Sequence, residues 1–252
     1  MWKTLGTFLC LATAAPLNSQ RTVHVLVALC DNEHQGIVKV PAGIGNGQNP
    51  RTNLYWGAGY GVRTHFDRSD EWLRQPCEKP AEPHILERAV WKHRDSAVYL
   101  VADAYDGRHI REATEDLLLF ASGGGTSSIT ADGMRIAIGG GADLVGYVGH
   151  NGLMDFALER SFNARDDRRR EVVILGCISK RYFTGPLRTT GAQPLLWTTG
   201  LMAPEAYTLK AVLGGWVARE SDAAIHERAA KAYDQYQKCG INGARRLFAT
   251  GW

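Results

Sequence analysis

Several absences narrow the reading before any motif is considered. Cysteine is scarce in the 252 residues, with only Cys10, Cys30, Cys77, Cys177 and Cys239, too few for a disulfide framework in a domain of this size. No C-x-x-C pair and no tight His/Cys cluster occurs, so no zinc ligand set is present and no metal site is expected. Neither sign of charge dominates: 29 basic and 26 acidic residues leave a net charge of +3. The densest basic run, Arg165-Asp166-Asp167-Arg168-Arg169-Arg170, is interrupted by two aspartates and reads as a solvated loop rather than a nucleic-acid surface. Gly-x-Ser-x-Gly is missing, which argues against a serine or lipid hydrolase of the α/β type. Gly123-Gly124-Gly125-Thr126-Ser127-Ser128 lacks the lysine and the strand-to-helix setting of a phosphate loop and reads as a connection. Gly57, Gly59 and Gly61 have no strand before them and read as packing glycines.

What is present begins with a leader-like amino terminus. Lys3, a mostly apolar stretch from Leu5 to Ala15 and the small-residue run Ala12-Thr13-Ala14-Ala15 have the parts of a secretory signal peptide over residues 1–19. The stretch is too short to span a membrane, and nothing later resembles a span. A secreted or periplasmic protein is the expectation, with no membrane association after leader removal. Of the remaining cysteines, Cys77 and Cys239 could join, and Cys30 at a strand end reads as a buried thiol.

The body of the chain, residues 20–252, reads as a single α/β domain. Its 44% apolar and 22% charged composition suffices for one sizeable core. Strands are expected at Val23 to Cys30, Ala97 to Ala102, Ile136 to Ile138, Leu144 to Val148, Val172 to Leu175 and Leu195 to Thr198. Helices are expected at Leu54 to Phe66, Ile85 to His93, Arg108 to Ala121, Ala203 to Arg219 with Pro204 in its first turn, and Asp222 to Lys238. Strands alternating with helical crossovers imply a three-layer αβα sandwich with a mostly parallel sheet. Ligands in such sheets gather beyond the carboxyl ends of the strands. Asp31, Asp103, His150 and Cys177 are expected there, and Asp106 reads as a helix cap.

The sharpest signal is a pair of apolar runs, Leu144-Val145-Gly146-Tyr147-Val148-Gly149-His150 and Val172-Val173-Ile174-Leu175-Gly176-Cys177. Two buried strands ending in an imidazole and a thiol at one sheet edge would supply a nucleophile and its proton partner. These two blocks resemble those of the cysteine-peptidase clan that includes caspases, legumains, gingipains and clostripain. The resemblance covers the α/β order from about Val23 to Arg219 and implies a caspase-like fold. It departs from the clan's usual His-Gly at His150-Asn151-Gly152, and the interval from His150 to Cys177 is shorter than usual.

The resemblance implies cysteine endopeptidase activity on a peptide or protein substrate, with no cofactor. Cys177 would attack the carbonyl while His150 protonates the leaving amine, and backbone donors at Cys177 and in the Asn151-Gly152 turn would hold the oxyanion. One such donor is commonly worth about 3 kcal/mol. It also implies that Asp31, Gly176 and Trp197-Thr198-Thr199 wall the pocket for the residue before the scissile bond. An acidic floor at Asp31 would favour Arg or Lys; its alternative role is that of a turn-forming Asp beside Asn32. With a basic preference, the Arg165 to Arg170 loop becomes a candidate self-cleavage site. The competing reading is a catalytically inactive binding protein on the same scaffold.

Overall fold

The run Arg21–Ala28 is buried from Thr22 onward, and its unbroken apolar, β-branched character suits a strand covered on both faces. In the computed structural model, which describes residues 20–252, this strand (β1) lies inside an eight-stranded sheet. The leader reading of residues 1–19 falls outside the described residues. In chain order the elements are α1 (Val62–Asp67), β2 (Trp72–Gln75), β3 (Ile85–His93), β4 (Val98–Tyr105), α2 (Ile110–Ala121), β5 (Ser127–Ala131), β6 (Met134–Ile138), β7 (Leu144–Val148) and β8 (Glu171–Leu175). There follow α3 (Ser179–Thr190), β9 (Gln193–Thr198), α4 (Ala206–Val217), α5 (Asp222–Gln237), α6 (Ile241–Leu247) and β10 (Phe248–Ala249). The sheet order is β10-β9-β8-β7-β1-β4-β3-β2, and β5-β6 form a separate hairpin. Pairings β9-β8, β8-β7, β7-β1 and β1-β4 are parallel, so the sheet is mostly parallel with antiparallel edges.

Alternate residues of β1 enter different apolar clusters. Val23, Val25 and Val27 pack with Leu209 and Leu213 of α4 and Ile225 of α5. Leu26 and Ala28 pack with Leu117 and Leu118 of α2 and Phe183 of α3. From β1 the chain builds outward through β4 on one side and β7 on the other. The reversal of strand order between β1 and β7 opens a crevice at their carboxyl ends, where α/β proteins place ligands.

The structure differs from the sequence expectations at several points. Ile85–His93 is a strand, not a helix; it pairs antiparallel with β4, and that ladder outweighs a local apolar spacing compatible with either form. Helix occupies only the end of the Leu54 to Phe66 segment; before it the chain runs in turns packed so closely that a Cβ at Gly57 would strike the Arg51 carbonyl and one at Gly61 the Trp56 backbone. Pro204 precedes α4, which begins at Ala206 after an extended Glu205. Asp103 is not at a strand end but within β4, fully buried, whereas Asp106 does cap, its carboxylate accepting from the Arg108 amide at 3.0 Å. Cys77 and Cys239 are free thiols. In the arginine-rich loop Arg170 is buried, donating to the Gly140 carbonyl at 2.7 Å and to both Asp166 carboxylate oxygens at 2.6 Å. Among the described residues no helix is long and apolar enough to cross a membrane, and no group of three or more His, Cys, Asp or Glu is placed to hold a metal ion.

Candidate active site

Gly149, His150 and Cys177 line one cavity of about 250 Å3. Each arrives from a strand end. The chain leaves β7 through Gly149 at a φ of 149°, and a Cβ there would stand 2.7 Å from the Ala28 carbonyl oxygen of neighbouring β1. Only glycine meets both demands comfortably. The Gly149 amide extends the β7-β8 pairing by donating to the Leu175 carbonyl at 3.1 Å. The Tyr147 hydroxyl then fixes the next turn by donating to the His150 carbonyl at 2.7 Å.

The His150 ring is almost wholly buried, with Nε2 2.8 Å from Asp155 Oδ2. The same carboxylate oxygen accepts the Gly36 amide at 2.9 Å. Because that oxygen serves as an acceptor, Nε2 is the donor to it and Nδ1 keeps a lone pair. Asp155 is placed by the short helical turn Gly152–Met154, which Asn151 caps by accepting from the Leu153 amide at 3.1 Å. Asn151 also ties the two strand ends together, its side-chain amide donating to the Cys177 carbonyl at 2.7 Å.

Cys177 occupies a sharp strand-to-helix turn. Ile178, immediately after it, has φ 51° and ψ 32°, and α3 begins at Ser179. A β-branched residue in the left-handed region costs about 1–3 kcal/mol, a strain that clusters at functional sites and is held by surrounding structure. Here the Ser179 hydroxyl donates to the Ile174 carbonyl at 3.0 Å and accepts the Thr198 amide at 2.9 Å. The Thr198 hydroxyl in turn binds the Gly176 carbonyl, and the Ile178 amide donates to Gly200 at 2.8 Å. These bonds hold the turn from behind. The amino-terminal end of α3 follows directly, and helix starts favour negative charge nearby.

Cys177 is half-buried, and its sulfur has one hydrogen-bonding neighbour among the described residues. It accepts the Met202 amide at 3.4 Å and faces the Met202 carbonyl at 3.6 Å. The Cys177 and Gly152 amides carry no backbone hydrogen bond among the described residues. Cys30 is a different kind of thiol: burial pushes its pKa up to about 11, against a smaller lowering by the Tyr55 side chain, and it is inaccessible to solvent.

The other expected pocket residues lie elsewhere. Asp31 is not among the residues lining the cavity. Its buried carboxylate accepts from the Glu33 amide at 2.9 Å, His34 Nδ1 at 3.0 Å and the Gln48 side chain at 2.7 Å. Burial alone would raise its pKa, but these bonds outweigh it and leave the pKa below its usual value. Asp31 is thus a turn anchor in this geometry. Trp197 is buried beside Trp252 and Lys180. Thr198 belongs to the support behind Cys177, as does Gly176. The Thr199 hydroxyl donates to the Arg246 carbonyl at 2.6 Å, toward α6. Sequence reasoning missed Asp155, Tyr55 and Met202, all of which stand at the site. Only Asp155 had a local signal, as the first acidic residue after the His150 turn.

Comparison with family models, with curated proteins and with solved structures returns no match.

Proposed function

We propose that the chain is a cysteine peptidase with a caspase-like, three-layer αβα architecture. The observation that carries this reading is that β7 and β8, adjacent and parallel, end in His150 and Cys177 on one cavity. Their two sequence blocks are the ones that resemble the cysteine-peptidase clan. In the first step the Cys177 thiol gives its proton to His150 and the sulfur forms a bond to the scissile carbonyl carbon. The carbonyl π pair moves to oxygen, where the unpaired Cys177 amide is the donor expected to hold it. As the tetrahedral species collapses, the C–N bond breaks and the imidazolium of His150 gives its proton to the leaving amine. Water then attacks the thioester, losing a proton to His150, and the acid departs as the thiol is restored.

Asp155 acts through His150 and is a positioning residue. Its bonds to Nε2 and to the Gly36 amide hold the ring in one tautomer and one orientation. General acid–base catalysis contributes about 10²–10⁴-fold, so Asp155→Ala, which leaves the imidazole present but unheld, lowers kcat/KM by about 10- to 100-fold.

The test is cleavage of a diverse peptide mixture, with new termini mapped by mass spectrometry. Wild-type protein is expected to cut, and Asp155→Ala to cut at the same bonds more slowly. Failure to cut any peptide between pH 5 and 9, together with failure of peptide electrophiles to modify Cys177, rejects the peptidase reading. It would favour a silent binding protein.

A further inference from the structure

The cavity beside the Cys177 sulfur has apolar walls. Ile37, Val38, Met154, Leu201, Met202 and Pro204 line it with Tyr55, and the ionisable side chains that reach it besides Tyr55 are His150 and Cys177 themselves. Tyr55 is neutral at any ordinary pH, since burial pushes its pKa well above the usual phenol value. Asp155 does not line the cavity, and its Oδ2 is spent on His150 and the Gly36 amide. Apart from the catalytic pair itself, no lining side chain carries a charge to partner a guanidinium, an ammonium or a carboxylate.

Exposure points the same way. Of the large hydrophobic side chains that stand exposed among the described residues, Val38 (92%), Leu201 (71%) and Met154 (38%) all border this cavity. Exposed apolar residues scattered singly are ordinary, whereas their concentration around a concave site marks a binding surface. The cavity, about 250 Å3, is also smaller than the roughly 300–1,000 Å3 of sites that enclose a whole drug-sized ligand. It suits a single large side chain and the backbone beside it.

We infer that this cavity is the specificity pocket for the acyl part of the substrate and selects an apolar residue, of leucine, methionine or phenylalanine type, immediately before the bond that Cys177 attacks. This rests on the peptidase reading above and replaces a basic preference, because Asp31 gives the cavity no acidic floor. Burying an unpaired charge among these side chains is unfavourable, while an aliphatic chain gains contact with Leu201, Met202 and Pro204. The exposed Leu201 and Val38 would be covered by the same substrate.

Three tripeptide acyloxymethyl ketones, identical except for Leu, Arg or Asp next to the electrophile, separate the possibilities on the full chain. The readout is the rate of Cys177 alkylation, mapped by peptide mass spectrometry. The leucine probe is expected to react at least tenfold faster than the other two. Equal rates, or a faster arginine or aspartate probe, with the adduct on Cys177 would overturn the apolar pocket while leaving the peptidase reading intact. No Cys177 adduct from any probe would remove both. Leu201→Glu supplies a second arm, since this side chain is largely in solvent and places no burden on folding. It should slow the leucine probe and speed the arginine probe; an unchanged ratio would overturn the assignment of this cavity.

Discussion

Cys177→Ala is expected to abolish peptide cleavage, with a fall in kcat/KM of about 10³-fold or more and no change in the thermal midpoint beyond a few degrees. The size of the loss follows from the chemistry. Without the sulfur no thioester forms, and only substrate binding and backbone donors remain to assist direct attack by water, a residual that is small against covalent catalysis. The small structural effect follows from the geometry. The bonds that hold this turn run through Gly176, Ile178, Ser179 and Thr198, and the Cys177 carbonyl still receives the Asn151 side chain. The sulfur itself makes only long contacts with Met202. His150→Ala should cost about 10²–10⁴-fold, the usual share of general acid–base catalysis. A variant that lost activity and folded stability together would point instead to a structural role for the pair. Kinetics on a leucine-containing peptide amide, with circular dichroism on the same samples, distinguish these outcomes.

Arg88→Ala is expected to destabilise the protein by about 3–5 kcal/mol, because it strands a buried carboxylate. Asp103 is wholly buried within β4 and receives two bonds from the Arg88 guanidinium at 2.6 Å, across the β3-β4 ladder. His24 of β1 completes the group. Its Nδ1 accepts the Gly139 amide at 3.0 Å, so Nε2 carries the proton and donates to Asp103 at 3.0 Å. Burial by itself would raise the Asp103 pKa, but the Arg88 and His24 bonds prevail and hold it below the ordinary carboxylate value. On the partner side, burial lowers the Arg88 pKa and Asp103 more than restores it, leaving it raised. Both directions describe a pair that favours its charged form.

The pH dependence has a definite sign. A carboxylate whose folded pKa lies below its unfolded value of about 3.9 contributes stability that is fully present above that value. The contribution is lost as pH falls through the folded pKa. In wild type this contribution is therefore constant above about pH 4; in Arg88→Ala, burial without the guanidinium raises the Asp103 pKa, so the deficit should be largest near pH 7 and narrow as pH falls and Asp103 takes up a proton. Urea melts across this range measure it. A loss below 1 kcal/mol at pH 7 would mean that Asp103 finds water or another donor when Arg88 is removed.

The site was legible in the sequence to the extent that strand ends are. Leu144–Val148 and Glu171–Leu175 are short, wholly apolar in their interiors and bounded by glycine, so the positions of His150 and Cys177 at neighbouring ends could be read directly. A strand end does not reveal where a side chain turns afterwards. Asp31 follows β1 as suitably as His150 follows β7, yet its carboxylate closes on Glu33, His34 and Gln48 rather than on the crevice. Asp155 was hidden because the link that brings it to His150 is a single helical turn, Gly152–Met154, with no periodicity to detect.

Elements whose form depends on distant partners were read least well. Ile85–His93 carries apolar residues at spacings open to either helix or strand, and the decision comes from β4 and from the Arg88–Asp103 bond across the ladder. The helix α3 went unread because Gly185 and Pro186 lie inside it, where each normally disfavours a helix. Its amphipathic burial of Phe183 and Leu187 against the sheet overcomes both.

The most direct measurement is acid-quenched mass spectrometry of wild type and His150→Ala during turnover of a peptide thioester with leucine at the acyl position. An acyl group on Cys177 that forms and then hydrolyses in the wild type, and that turns over at least a hundredfold more slowly in His150→Ala, is the expected result. Acylation confined to Cys239 or Cys77, or equal turnover in the two proteins, would contradict a shared role for this imidazole and this thiol.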